Sequence, residues 1–105
     1  MDDESRLEFS AIPKLSVLRL DDTQIGNQTL KSLVKCRWLS GLDLSHTNVD
    51  DSGLRCLRSF SRLENLILNG TSISENSLEQ LSACKSLKVV HCANTGFAVE
   101  RIEAR

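Results

Sequence analysis

Asp43, Ser45 and His46 lie close together and belong to the types that build an acyl-transfer relay: a hydroxyl nucleophile, an imidazole base and an orienting carboxylate. Their spacing works against that chemistry. Alternation along a strand puts Asp43 and Ser45 on one face, whereas His46 falls where a turn begins. No glycine-rich elbow or oxyanion loop accompanies them. Metal ligation needs converging donors, for which His46, His91, Cys84 and Cys92 are the candidates. The two histidines fall in different positions of the repeat described below, and Cys92 occupies a position otherwise held by core leucines. No cysteine pair has the CxxC spacing of a zinc knuckle. The chain is therefore read as non-catalytic, with no metal and no cofactor.

The elements that must position these side chains follow from a repeat. Leu39, Leu42, Leu44 and Thr47 reappear 24 residues later as Leu63, Leu66, Leu68 and Thr71, and 24 earlier as Leu15, Leu18, Leu20 and Thr23. A fourth copy is Leu87, Val90, Cys92 and Thr95. Four copies in phase, starting at 15, 39, 63 and 87, predict stacked units of one supersecondary structure. The first part of each copy, such as Ser16-Val17-Leu18-Arg19-Leu20, alternates with period two and predicts a strand with one buried face. The second part, with Leu30/Leu33, Leu54/Leu57 and Leu78/Leu81, predicts a helix of about two turns with one inward stripe. Polar turns such as Asp50-Asp51-Ser52-Gly53 and Ser74-Glu75-Asn76-Ser77 join them and suit helix N-caps. Strand, turn, helix and return loop make one coil of a right-handed solenoid. The positions 25, 49, 73, 97 and 12, 36, 60, 84 are wholly apolar, as a core requires. Thr recurs at 23, 47, 71 and 95, predicting a buried ladder whose hydroxyls bond to neighbouring coils.

Between the buried leucines, side chains point to the open face of the sheet. They form the columns Val17, Gly41, Asn65, Val89; Arg19, Asp43, Ile67, His91; and Asp21, Ser45, Asn69, Ala93, with Asp22, His46, Gly70 and Asn94 at the rim. Strands about 4.8 Å apart let Arg19 pair with Asp43 and set Ile67 beside Val89 and His91 as an apolar spot. A mixed surface of this kind suits a protein or peptide. The residues expected to touch a partner are Val17, Arg19, Asp21, Asp43, His46, Asn65, Ile67, Val89 and His91. On the helix side, Lys31, Lys35, Arg37, Arg55, Arg58 and Arg62 surround Trp38, the apolar outlier in a position otherwise held by Lys14, Arg62 and Ser86. This basic side reads as solvated, and weak nucleic-acid binding through it is a lesser alternative, distinguished by a steep salt dependence.

The phrase LxxLxLxxTxI, as in LSGLDLSHTNV and LENLILNGTSI, resembles the leucine-rich repeat family from about Leu7 to Ile102. The 24-residue length and the Thr in a site often held by Asn resemble the Thr-type repeats of protozoan and bacterial proteins and the GALA-like group. The resemblance implies an α/β fold, a right-handed solenoid with a parallel sheet on its concave face and short helices on its convex face. It also implies that partners are proteins bound mostly on the concave side.

A chain of 105 residues, 40% hydrophobic and 26% charged, fits one globular domain. The net charge of −1 gives no global attraction for nucleic acid or an acidic membrane. The acidic start, Met1-Asp2-Asp3-Glu4, lacks the features of a secretory signal, and no apolar run is long enough to span a bilayer, so a cytoplasmic protein is expected. Cys36 and Cys84 share one column two repeats apart, about 10 Å, too far for a disulfide, and the four cysteines are read as reduced. Residues 1–6 are expected to be a disordered tail and 7–14 part of a preceding repeat, the repeat domain running from 7 to 105. In the last copy the helix half falls on Val99–Arg105, with Arg105 where the second leucine should be. Neither end shows a cap, which predicts a fragment of a longer solenoid or self-association through the uncapped ends. The Asn27-Gln28-Thr29 and Asn69-Gly70-Thr71 triplets fit the glycosylation pattern, the second explained by the Thr position alone. The expectation is a non-catalytic protein–protein interaction module and scaffold, the alternative a structural segment stacking end to end with itself.

Overall fold

Alternation around Leu18, Leu42 and Leu66 produces three short strands, β1 (Val17–Arg19), β2 (Gly41–Asp43) and β3 (Asn65–Ile67), and the fourth copy gives β4 (Val89–His91). A computed structural model describes residues 16–103 of the chain. The expected tail, the partial repeat at 7–14, Leu15 and residues 104 and 105 lie outside the described residues. The four strands run parallel in chain order, and the pairs Val17↔Gly41↔Asn65↔Val89, Leu18↔Leu42↔Leu66↔Val90 and Arg19↔Asp43↔Ile67↔His91 reproduce the sequence period. The result is a small α/β domain with a five-stranded, mostly parallel sheet and short helices.

The helical segments differ from one another. Helix α1 spans Asn27–Leu33. The next, Gly53–Ser59, forms the expected short helix as a 3₁₀ helix. Leu54 and Leu57, three apart, both point inward in a helix of three residues per turn, so the core accepts this form. Glu75–Ser77 forms a 3₁₀ turn that runs into α2, Leu78–Ala83. Leu30, Leu33, Leu54 and Leu57 are fully buried against Leu42, Leu44, Leu66 and Leu68. Leu78 departs from its column: it is 49% exposed, and among the described residues no helix lies beyond α2 to cover it. Among the described residues no helix is long and apolar enough to cross a membrane.

After each strand the chain bends through a left-handed residue: Asp22 (φ 60°), His46 (56°), Gly70 (68°) and Asn94 (57°). Glycine enters this region freely, and Asn, Asp and His enter it more readily than other side chains. The bend brings each Thr hydroxyl back onto its own strand. Thr23, Thr47, Thr71 and Thr95 donate to the carbonyls of Leu20, Leu44, Leu68 and Cys92 at 2.6, 2.7, 2.6 and 2.6 Å. The threonines therefore close four identical turns and do not bridge neighbouring units as the sequence reading expected, because the left-handed residue places the local carbonyl nearest. Thr71→Val keeps the shape and removes the hydroxyl, which is expected to cost about 1 kcal/mol in a urea titration; an unchanged midpoint contradicts this role.

The braces between successive units come from the polar turns. Asn27 Nδ2 donates to Asp50 Oδ1 at 2.8 Å and to Ser52 Oγ at 3.1 Å, while the Asp50 N–H donates to Asn27 Oδ1 at 3.2 Å. One unit on, Asp51 accepts from the Ser74 N–H at 2.8 Å, from the Ser74 hydroxyl at 2.6 Å and from the Ser77 hydroxyl. Gly53 is required beside this network, since a Cβ there would fall 2.0 Å from Asn27 Oδ1.

The last copy is corrected by the structure. The expected helix half at Val99–Arg105 is not formed; Arg101–Glu103 is a strand, β5, antiparallel to β4. With Ile102 as the sole apolar residue between charged neighbours, the segment has no helical stripe to bury but does have a strand's alternation. The β4 edge, expected to be uncapped, is thus paired.

Candidate binding face

The register assembles the open face as the columns require. One row reads Val17, Gly41, Asn65, Val89 and the next Arg19, Asp43, Ile67, His91, on adjacent parallel strands. Strand β5 extends both: Glu103 stands opposite Val89 and Arg101 opposite His91. Sequence reading missed these two residues because it placed them on a helix; the alternation of 101–103 was the available signal.

Arg19 is the charged centre at one side. Its guanidinium lies 3.7 Å from Asp43 Oδ2 and 3.4 Å from Asp21 Oδ2, and Asp43 Oδ1 also accepts from the Ser45 N–H at 3.0 Å. The arginine side chain is 71% exposed, so these pairs contribute little to stability. Beside it the absence of a side chain at Gly41 leaves a depression of about 520 Å³ between Val17, Asn65 and Ile67. Val17 is 61% exposed on its rim. Ile67, Val89 and His91 are half-buried and continue the surface toward β5. His46 sits in the turn instead of on the sheet, with its imidazole lying over the Gly70 backbone.

The arrangement does not assemble an acyl-transfer relay. Ser45 Oγ is buried with no hydrogen-bond partner, Asp43 is engaged by Arg19 and the Ser45 backbone, and His46 packs on Gly70. Among the described residues no group of three His, Cys, Asp or Glu side chains is placed to hold a metal ion. The Cys84 thiol donates to the Phe60 carbonyl and the Cys92 thiol to the Val99 carbonyl, and all four cysteines are unbridged. Burial pushes the Cys36 and Cys92 thiols up from their ordinary value, which disfavours the thiolate a nucleophile or ligand needs. On the helix side, the Arg62 guanidinium stacks 4.1 Å above the Trp38 ring, so the exposed aromatic is covered in part by the residue one repeat on.

Two carboxyls titrate away from the ordinary range. Asp50 is lowered, first by the Asn27 side-chain hydrogen bond and then by that of Ser52. Burial alone would raise Asp51, but the bonds from Ser74 and Ser77 outweigh it and the net shift is downward. Both groups release protons more easily folded than unfolded, where an Asp titrates at about 3.9. Their stabilisation is therefore fully present above that value and lost as pH falls through the lower folded-state values. Urea midpoints are expected to drop between about pH 5 and pH 2.5 in wild type; equal midpoints contradict the assignment.

No protein-family model matches this chain, and no curated protein is similar enough to it to count as a relative.

Proposed function

We propose that the chain is a segment of a leucine-rich repeat solenoid and that its open sheet face, the concave side, takes a protein partner. The observation that carries this reading is the notch at Gly41, an uncovered hollow flanked by exposed Val17, half-buried Ile67 and the Arg19 side chain. Apolar rim, hollow and the exposed Arg19 side chain, paired with Asp21 and Asp43, together match a partner segment that inserts one side chain beside polar groups able to join that ion-pair cluster. Four unbridged cysteines, three of them buried, suit a reducing compartment, which supports a cytoplasmic setting.

Gly41→Arg fills the hollow without a clash at its Cβ, because the nearest atoms that Cβ meets are the Val17 methyls, at 3.5 and 3.7 Å, ordinary van der Waals distances. Quantitative affinity capture from cell extract is expected to recover a protein with wild type and with the helix-side control Arg58→Glu. Recovery should fall at least about tenfold with Gly41→Arg and with Ile67→Asp, as at a central contact. Equal capture by all four chains overturns the reading.

A further inference from the structure

The strand that sequence reading missed has an open outer edge. The Cys92 N–H donates to the Glu100 carbonyl at 2.8 Å, so in β5 residues 100 and 102 turn their peptide groups toward β4. Residues 101 and 103 must then turn theirs outward, and among the described residues no strand receives them. Their side chains, exposed and of opposite charge, lie 2.9 Å apart on one face.

We infer that two copies of this chain pair antiparallel through β5, about a two-fold axis at Ile102. In that register residue 101 of each copy faces residue 103 of the other. The outward N–H and C=O groups of these residues then form four inter-chain backbone hydrogen bonds. The same register sets each Arg101 guanidinium opposite a Glu103 carboxylate, twice over, as a self-complementary interface requires. On the inner side, Ile102 meets Ile102 of the second copy. That contact lies beside an apolar groove of about 310 Å³ lined by Leu78, Leu81, Leu87 and Val90, to which Ile102 itself contributes. The occupant is a second copy because the charge order of β5 reads as its own complement. Centring the pairing on Arg101 would oppose like charges. This dimer stands on residues apart from the Gly41 hollow, so either proposal survives the failure of the other.

Sedimentation equilibrium of the full chain tests the dimer. From about 5 µM to about 1 mM, a range suited to a small interface, wild type should shift from the 11.7 kDa monomer toward twice that mass. R101E presents two carboxylates on β5 and E103R two guanidinium groups. Each variant alone is expected to weaken self-association about tenfold or more, whereas an equimolar mixture of the two should restore a heterodimer. The double swap R101E/E103R should restore the homodimer, and Gly41→Arg should leave it unchanged. A wild type that stays monomeric across the range overturns the inference. So does a dimer indifferent to both single reversals, or a mixture that gains nothing over its components.

Discussion

Leu66→Ala is expected to lower the free energy of unfolding by about 3–4 kcal/mol, the range for a fully buried leucine whose surroundings cannot collapse. Leu66 is 0% exposed on β3, the middle strand, with Leu42 and Val90 in register on either side. Both neighbours are tied into parallel ladders, so neither backbone is free to move into the void. A domain of this size holds roughly 5–15 kcal/mol in total, so the loss is a large fraction of it. The melting temperature should fall by about 15–25 °C. Leu18 occupies the same column on β1, is only half-buried and has a described partner strand on one side alone. Leu18→Ala should therefore cost about 1–2 kcal/mol. Thermal unfolding by circular dichroism measures both; equal losses would contradict the placement of β3 at the centre of the sheet.

Asp51→Ala should be the most damaging polar substitution, at about 2–3 kcal/mol. The carboxylate accepts three hydrogen bonds from Ser74 and Ser77, residues of the following repeat, and Ser77 is 0% exposed. Truncation leaves those donors without an acceptor, and the buried one cannot turn to water. Asp51→Asn keeps one acceptor oxygen and should cost about half as much. The alanine variant also loses a carboxyl that titrates low in the folded chain, so its stability should depend less on pH below about 4 than that of wild type. Urea titrations at neutral and acid pH read both effects. An alanine variant as stable as wild type would contradict the brace.

Periodicity alone carried much of this architecture. Leucines 24 apart can lie side by side only if each repeat returns to the same depth, and the observed register Leu18↔Leu42↔Leu66↔Val90 follows from that geometry. The exposed columns follow too, since a strand's alternation leaves them no other face. Hydrogen-bond partners were less legible. The threonine column was evident, but which carbonyl each hydroxyl reaches depends on the left-handed residue before it, at Asp22, His46, Gly70 and Asn94. Those four types share a tolerance for positive φ that a column of dissimilar residues hides. Asp50 and Asp51 read as ordinary turn residues, and their partners lie 23 to 26 positions away. At residues 101–103 the repeat gives a helix where the structure has a strand, because the apolar pattern of the repeat has already failed there. A three-residue strand such as Arg101-Ile102-Glu103 offers one apolar residue as its signal, too little to outweigh three preceding repeats. Gly41 was not among the residues expected to touch a partner; its missing side chain in the column was the available signal, and the hollow's depth depends on how Val17 and Asn65 frame it.

The central claim is that the 24-residue period stacks the strands in register and so creates one continuous open face. Nuclear Overhauser contacts between backbone protons test it most directly. Parallel-ladder contacts are expected from Arg19 to Asp43 and from Asp43 to Ile67, together with a strong Hα–Hα contact between His91 and Arg101, the close pair of the antiparallel strand. Contacts displaced by one residue would turn every exposed column into the core. That result would contradict the shared face, and the absence of the His91–Arg101 contact would contradict the closing strand.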